Sequence, residues 1–145
     1  MTSAISIGKQ GFASLRENHY FYVDKTDFIR QWWESGDDIT LITRPRRFGK
    51  TLNMSMLNCF FSRQYAEKGT IFEGLSIWKP EKYRRLQGTY PVIFLSFADV
   101  KQNNYQDAVQ KIKNIIVDAY RQHRYLEQEE CFTQNEKQQL SLIHI

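Results

Sequence analysis

An apolar run, a basic loop and a helical pattern follow one another without a break in "DITLITRPRRFGKTLNMSMLNCFF", residues 38–61, and this order limits the chain more than any other feature. Ile39 to Thr43 is β-branched and aliphatic, as a strand in the middle of a parallel sheet is. It stops at Arg44-Pro45, because proline removes a ladder donor and biases the residue before it to extended geometry. After Gly49-Lys50-Thr51, the residues Leu52, Met56, Leu57, Phe60 and Phe61 recur at helical spacing. Strand, turn and helix therefore stand in the order that a phosphate-binding loop requires.

The pattern for such loops is G-x-x-x-x-G-K-[ST], and here Arg44 occupies the place of the leading glycine. Gly49 lets a phosphate approach the backbone, and the helix start behind it adds its positive dipole end. Lys50 is the point charge for the β and γ phosphates, and the Thr51 hydroxyl is the expected ligand for Mg²⁺. Arg44, Arg46 and Arg47 crowd guanidinium groups beside the lysine. A Gly-Lys-Ser/Thr tripeptide arises by chance in roughly one chain in fifteen of this length. The flanking pattern, more than the tripeptide, carries the inference.

Elsewhere, "HYFYVDKTDFIRQWWESG" offers Asp24 or Thr26 as a helix N-cap, then Phe28, Ile29, Trp32 and Trp33 at helical spacing, and an end at Ser35-Gly36. "IFEGLSIW" reads as a loop with a short extended piece, "PEKYRRLQG" as one or two helical turns, and "YPVIFLSFAD" as a second strand. From Asn104 to Arg124 apolar residues recur every three or four positions, which predicts a long helix. Thr133 and Glu136 form a capping box for another. Alternating strands and helices imply an α/β fold with a parallel sheet, here incomplete because only two strands are evident.

The chain of 145 residues is of one-domain size, and its 20 Lys plus Arg against 16 acidic residues suit an anionic ligand without requiring nucleic acid. Cys59 and Cys131 form no C-x-x-C pair and His19, His123 and His144 show no ligand spacing, so neither a metal cage nor a disulfide framework is expected. No signal-peptide core or membrane-span run occurs, which points by default to the cytoplasm and to no membrane partner. Asp99, at the end of the second apolar run, is a weak candidate for Mg²⁺, since aspartate there commonly starts a turn.

"RPRRFGKT" followed by "LNMSMLNCFF", with "FASLRENHYFYVDKTDFI" upstream and "IFEGLSIW" and "YPVIFLSF" downstream, resembles the N-terminal part of the AAA-ATPase-like proteins of bacteria, which commonly carry a C-terminal PD-(D/E)XK nuclease-like domain. The resemblance spans roughly residues 5 to 125. It implies a P-loop NTPase-type parallel sheet with flanking helices, ATP and Mg²⁺ as ligands, and arginine at position 44 as the normal form of the loop. The expected ligand-binding residues are Arg44, Arg46, Arg47, Phe48, Gly49, Lys50 and Thr51, with Thr51 also on the metal.

The family's acidic strand end, which resembles "DEYD", does not occur in these residues. Residues 1–139 are accordingly expected to be the front portion of the ATPase domain, binding nucleotide poorly and turning it over hardly at all on their own. Residues 140–145, "LSLIHI", look unlike the family's continuation and resemble the translation of a transposon end used in preparing sequencing libraries, and are expected to be a non-native tail. The resemblance implies nucleic acid as a partner through the nuclease-like domain of a longer protein. The alternative function is a non-enzymatic basic module that holds nucleic acid or an acidic partner, separable by a steep salt response and indifference to Mg²⁺.

Overall fold

Phe12, Ile29, Phe60 and Phe72 are each 0% exposed, and the order of the N-terminal half follows from how the chain brings them together. The computed structural model describes residues 11–43, 45 and 48–125, which divide into a unit ending at Val92 and another beginning at Ile93. In the first unit α1 is Phe12–Glu17, α2 is Asp27–Ser35, α3 is Lys50–Phe61 and α4 is Glu81–Leu86. Two 3-10 stretches, Arg63–Phe72 and Ser76–Trp78, lie between α3 and α4. The second unit contains α5, Tyr105–Gln122.

The core is aromatic. Phe12 stacks on Phe72 at 5.1 Å between ring centroids, and Phe60 meets Phe72 edge-on at 5.2 Å and Phe61 at 5.0 Å. Such offset and edge-to-face pairs add about 0.5–1.5 kcal/mol each beyond the burial of their area. Met56, Cys59 and Ile77 fill the spaces between the rings, and Trp32 and Trp33 pack from outside, both within ring contact of Phe61. The helical face predicted for α3 is therefore the buried one, with Cys59 added to it. Burial pushes the Cys59 thiol up.

Helix ends follow local chemistry. α2 stops at Gly36 in the left-handed conformation, and α5 begins at Asn104, whose side chain accepts from the Asp107 N–H at 2.8 Å. α4 spans the predicted turns after Pro80. The segment Ile71–Trp78 departs from expectation: it is 3-10 and turn in place of an extended piece, and it buries Ile71, Phe72, Leu75 and Ile77. Although α5 has the predicted period, none of its residues is buried.

The described residues form no parallel sheet. Among the described residues there is no strand, and the nearest thing to sheet pairing is an isolated parallel bridge between Ser62 and Tyr90. There the Arg63 N–H donates to the Tyr90 carbonyl and the Tyr90 N–H to the Phe61 carbonyl, both at 2.9 Å. Both expected strands lack a ladder. Ile39 and Leu41 are 90% and 83% exposed, and Ile93, Leu95 and Phe97 also face outward. β-branched composition favours extended backbone, but a strand exists only when a second backbone lies alongside it, which propensity does not encode. The expected α/β sheet is thus corrected to a helical arrangement. The capping box at Thr133 and Glu136, Cys131, and residues 140–145 lie outside the described residues.

Candidate nucleotide site

Pro45 and Phe48 to Thr51 are described in the basic loop; Arg44, Arg46 and Arg47 lie outside the described residues. Gly49 is the N-cap of α3, with φ 74° and ψ 18°, a left-handed conformation that an L side chain enters at about 1–2 kcal/mol. A Cβ there would meet nothing within 4 Å, so conformation and not crowding is what calls for glycine. The Asn53 N–H closes the first turn onto the Gly49 carbonyl at 2.9 Å. No side chain among the described residues caps α3, and its first turn carries no acid. A helix leaves its leading N–H groups without an acceptor of its own, which makes such an end suited to an anion.

Lys50 and Thr51 stand in that first turn. The Lys50 ammonium donates back to the Pro45 carbonyl at 3.0 Å, bridging the base of the loop. Thr51 is exposed. Phe48, whose N–H reaches the Pro45 carbonyl at 3.4 Å, is 61% exposed. Backbone donors, an ammonium group and a hydroxyl are therefore grouped at one helix end, a set able to hold an anion and one face of a hydrated cation.

Beside the loop, the "YVDKT" segment forms a clasp. Asp24 accepts from the Thr26 N–H at 2.9 Å, from the Thr26 hydroxyl at 2.6 Å and from the Ser76 N–H at 2.7 Å. The Thr26 hydroxyl, wholly buried, also accepts from the Ile77 N–H at 3.2 Å. Partial burial works to raise the Asp24 carboxyl, but the bonds from Thr26 and Ser76 outweigh it and hold the group below the usual carboxylate range. Thr26 is the N-cap residue of α2 without a side-chain capping bond, so both cap candidates tie α2 to the Ser76–Trp78 turn. Sequence reasoning placed these residues correctly at the helix start and missed the long-range partner.

The clasp holds Lys25 at the rim of a cavity of about 470 Å³. It is lined by Asp27, Phe28 and Gln31 from the start of α2 and by the segment Thr40 to Thr43. Phe48 from the loop and Asn53 from the first turn of α3 complete it. A hydrogen bond from the Trp32 indole to the Thr40 hydroxyl, 3.0 Å, pins the extended segment to α2. The spacing of Asp27 and Gln31, four residues apart on a predicted helix, was the one signal for this part of the lining. Nothing local indicated that it would face the loop.

Of the remaining candidates, Asp99 sits exposed in a turn of the second unit, closed by the Val100 N–H on the Phe97 carbonyl at 3.1 Å. That is the turn role weighed for it. Among the described residues no group of three or more His, Cys, Asp or Glu side chains could hold a metal, and no helix is long and apolar enough to cross a membrane.

The model of the predicted AAA-ATPase family, AAA-ATPase-like, matches residues 6–144. A curated relative from Azotobacter chroococcum mcd 1, described as an uncharacterized protein in the vnfD 5′ region, is 35% identical over 113 residues, which cover 77% of this chain and 20% of the relative. The chain thus spans about a fifth of that relative's length. No solved structure matches. By the extent of the family match, the chain belongs to the predicted AAA-ATPase family.

Proposed function

We propose that this chain binds Mg-ATP through the Arg44–Thr51 loop as the nucleotide-holding part of a longer AAA-ATPase-like protein. The observation that carries the reading is the start of α3: a left-handed Gly49, no side-chain cap among the described residues, and Lys50 and Thr51 in the first turn. In this role the Lys50 ammonium exchanges the Pro45 carbonyl for β and γ phosphate oxygens. The leading N–H groups of α3 donate to the phosphate oxygens, and Arg44, Arg46 and Arg47 add positive charge to the loop.

Mg²⁺ suits the donors present. It keeps several waters and takes phosphate oxygens, so one hydroxyl from Thr51 is a sufficient protein contribution, and a protein-only cage is not required. When bound, the ion neutralises charge on the phosphates. The chain's own residues orient the triphosphate and hold the metal's protein-side position. Activation of water for hydrolysis is assigned to none of them.

Calorimetric titration of a non-hydrolysable ATP analogue with Mg²⁺ into the chain and into Lys50→Ala tests this. The expected result is binding that falls about tenfold or more without the lysine and requires the metal. Binding unchanged in Lys50→Ala, or steeply weakened by salt and indifferent to Mg²⁺, would overturn it in favour of the basic-module alternative.

A further inference from the structure

We propose that the cavity between α2, Thr40–Thr43 and the loop receives the nucleoside half of the nucleotide, with Asp27 and Gln31 meeting the sugar and Phe28 and Phe48 the base. This rests on the phosphate-loop reading and adds to it where the uncharged end of the ligand goes. The cavity is continuous with the loop, because Phe48 and Asn53 both line it and flank the Gly49–Thr51 start of α3 on either side in sequence. A ligand anchored by its phosphates at that helix end has this cavity beside it.

Volume and chemistry select the nucleoside. At about 470 Å³ the space lies in the lower part of the roughly 300–1,000 Å³ range of small-molecule sites, ample for a base and a sugar. Phe28 and Phe48 supply flat apolar surface, and Leu41 and Ile42 continue it. The polar side is ordered in advance. Asp27 accepts from the Arg30 guanidinium at 2.8 Å on one carboxylate oxygen and from the Gln31 amide at 2.7 Å on the other. An ionised carboxylate has about four acceptor positions, so each oxygen keeps capacity for a hydroxyl donor such as a sugar diol.

The same carboxylate argues against a second phosphate in the cavity. Hydrogen bonding from Arg30 holds Asp27 below the usual carboxylate range, so it is charged at neutral pH and repels an anion. An uncharged, hydroxyl-bearing group with a flat ring satisfies both kinds of lining residue. Lys25, exposed at the rim, is the group nearest in kind to what a phosphate at the cavity mouth would seek.

The test compares two ligands, the Mg²⁺ complex of a non-hydrolysable ATP analogue and Mg-tripolyphosphate, by calorimetry on the whole chain. Gln31→Trp fills the cavity from an exposed helical position, and Asp27→Asn removes the charge without changing the shape. Unfolding midpoints of both variants are measured to confirm folding. We expect the analogue to bind about tenfold or more tighter than tripolyphosphate, Gln31→Trp to erase that advantage, and tripolyphosphate to bind the variant within about twofold of the parent. Asp27→Asn should weaken the analogue about threefold or more and leave tripolyphosphate equal or tighter. Equal affinity of the parent for both ligands, with neither variant affecting either, would overturn the nucleoside cavity and leave the phosphate loop standing. Failure of both ligands to bind the folded parent would overturn the phosphate loop and the cavity together.

Discussion

Removing the Asp24 carboxylate should loosen the clasp that joins α2 to the Ser76–Trp78 turn, and the effect can be sized bond by bond. Three hydrogen bonds end on Asp24, from the Thr26 N–H, the Thr26 hydroxyl and the Ser76 N–H. Bonds to a charged group contribute about 1.5–3 kcal/mol each, so undiminished they would sum to at least about 4.5 kcal/mol. Water reaches Asp24 and can replace it at Ser76, which reduces the expectation for Asp24→Ala to about 2 kcal/mol. Thr26 itself keeps partners in the variant, the Ser76 hydroxyl at 3.0 Å and the Ile77 N–H at 3.2 Å, so no wholly orphaned hydroxyl adds to the loss. In urea this is a fall in midpoint of about 1 M.

The pH dependence separates this account from a simple packing defect. The Asp24 carboxyl lies lower in the folded chain than its ordinary value of 3.8, so the unfolded chain binds more protons at this site. Its contribution is complete above the unfolded value and is lost as pH falls through the lower folded one. Urea unfolding followed by circular dichroism should therefore show parent and Asp24→Ala about 2 kcal/mol apart at pH 7, with the gap narrowing below about pH 3.8. Asp27, which also titrates low, is present in both proteins and cancels to first order. A gap constant from pH 7 to about pH 2.5, or equal midpoints at pH 7, would refute the clasp as the source.

Three further substitutions, one of them a control, probe the packing of the first unit. At Gly88, φ is 70° and an added Cβ would lie 2.4 Å from the Ala66 Cα, a backbone atom that cannot step aside cheaply. Gly88→Ala should lose about 3 kcal/mol or more in urea unfolding, about 1–2 from conformation and the rest from overpacking. Gly36→Ala, with φ 66° and nothing within 4 Å, is the control and should lose only the conformational part. Phe60→Ala removes a ring that is 0% exposed and touches both Phe61 and Phe72, and should cost about 3–5 kcal/mol. Helical circular dichroism melting well below the parent is its expected signature; a melting temperature within about 2 °C of the parent would contradict the core described.

The difference between what was and was not legible follows the distance over which each feature is decided. α2, α3 and α5 could be read because spacing, Asn104 at one end and Gly36 at another act within a turn or two of themselves. The start of α3 after Gly49 was legible for the same reason, being set within a few contiguous residues. Ile39 to Thr43 and the run after Pro91 satisfied every local preference of a strand and still form no ladder, since pairing is a property of two segments. The cavity was illegible by the same rule. It depends on the Trp32 bond to Thr40 and on Asp24 reaching Ser76, 52 residues away. Asp24 and Thr26 show how far a local assignment can be right about position and incomplete about role. As capping residues they would fix only the start of α2, whereas tied to Ser76 and Ile77 they fix where that start stands in the unit. Lys25 lies between them in the chain and inherits its placement from both, so the segment "YVDKT" shapes the cavity lining through its fold.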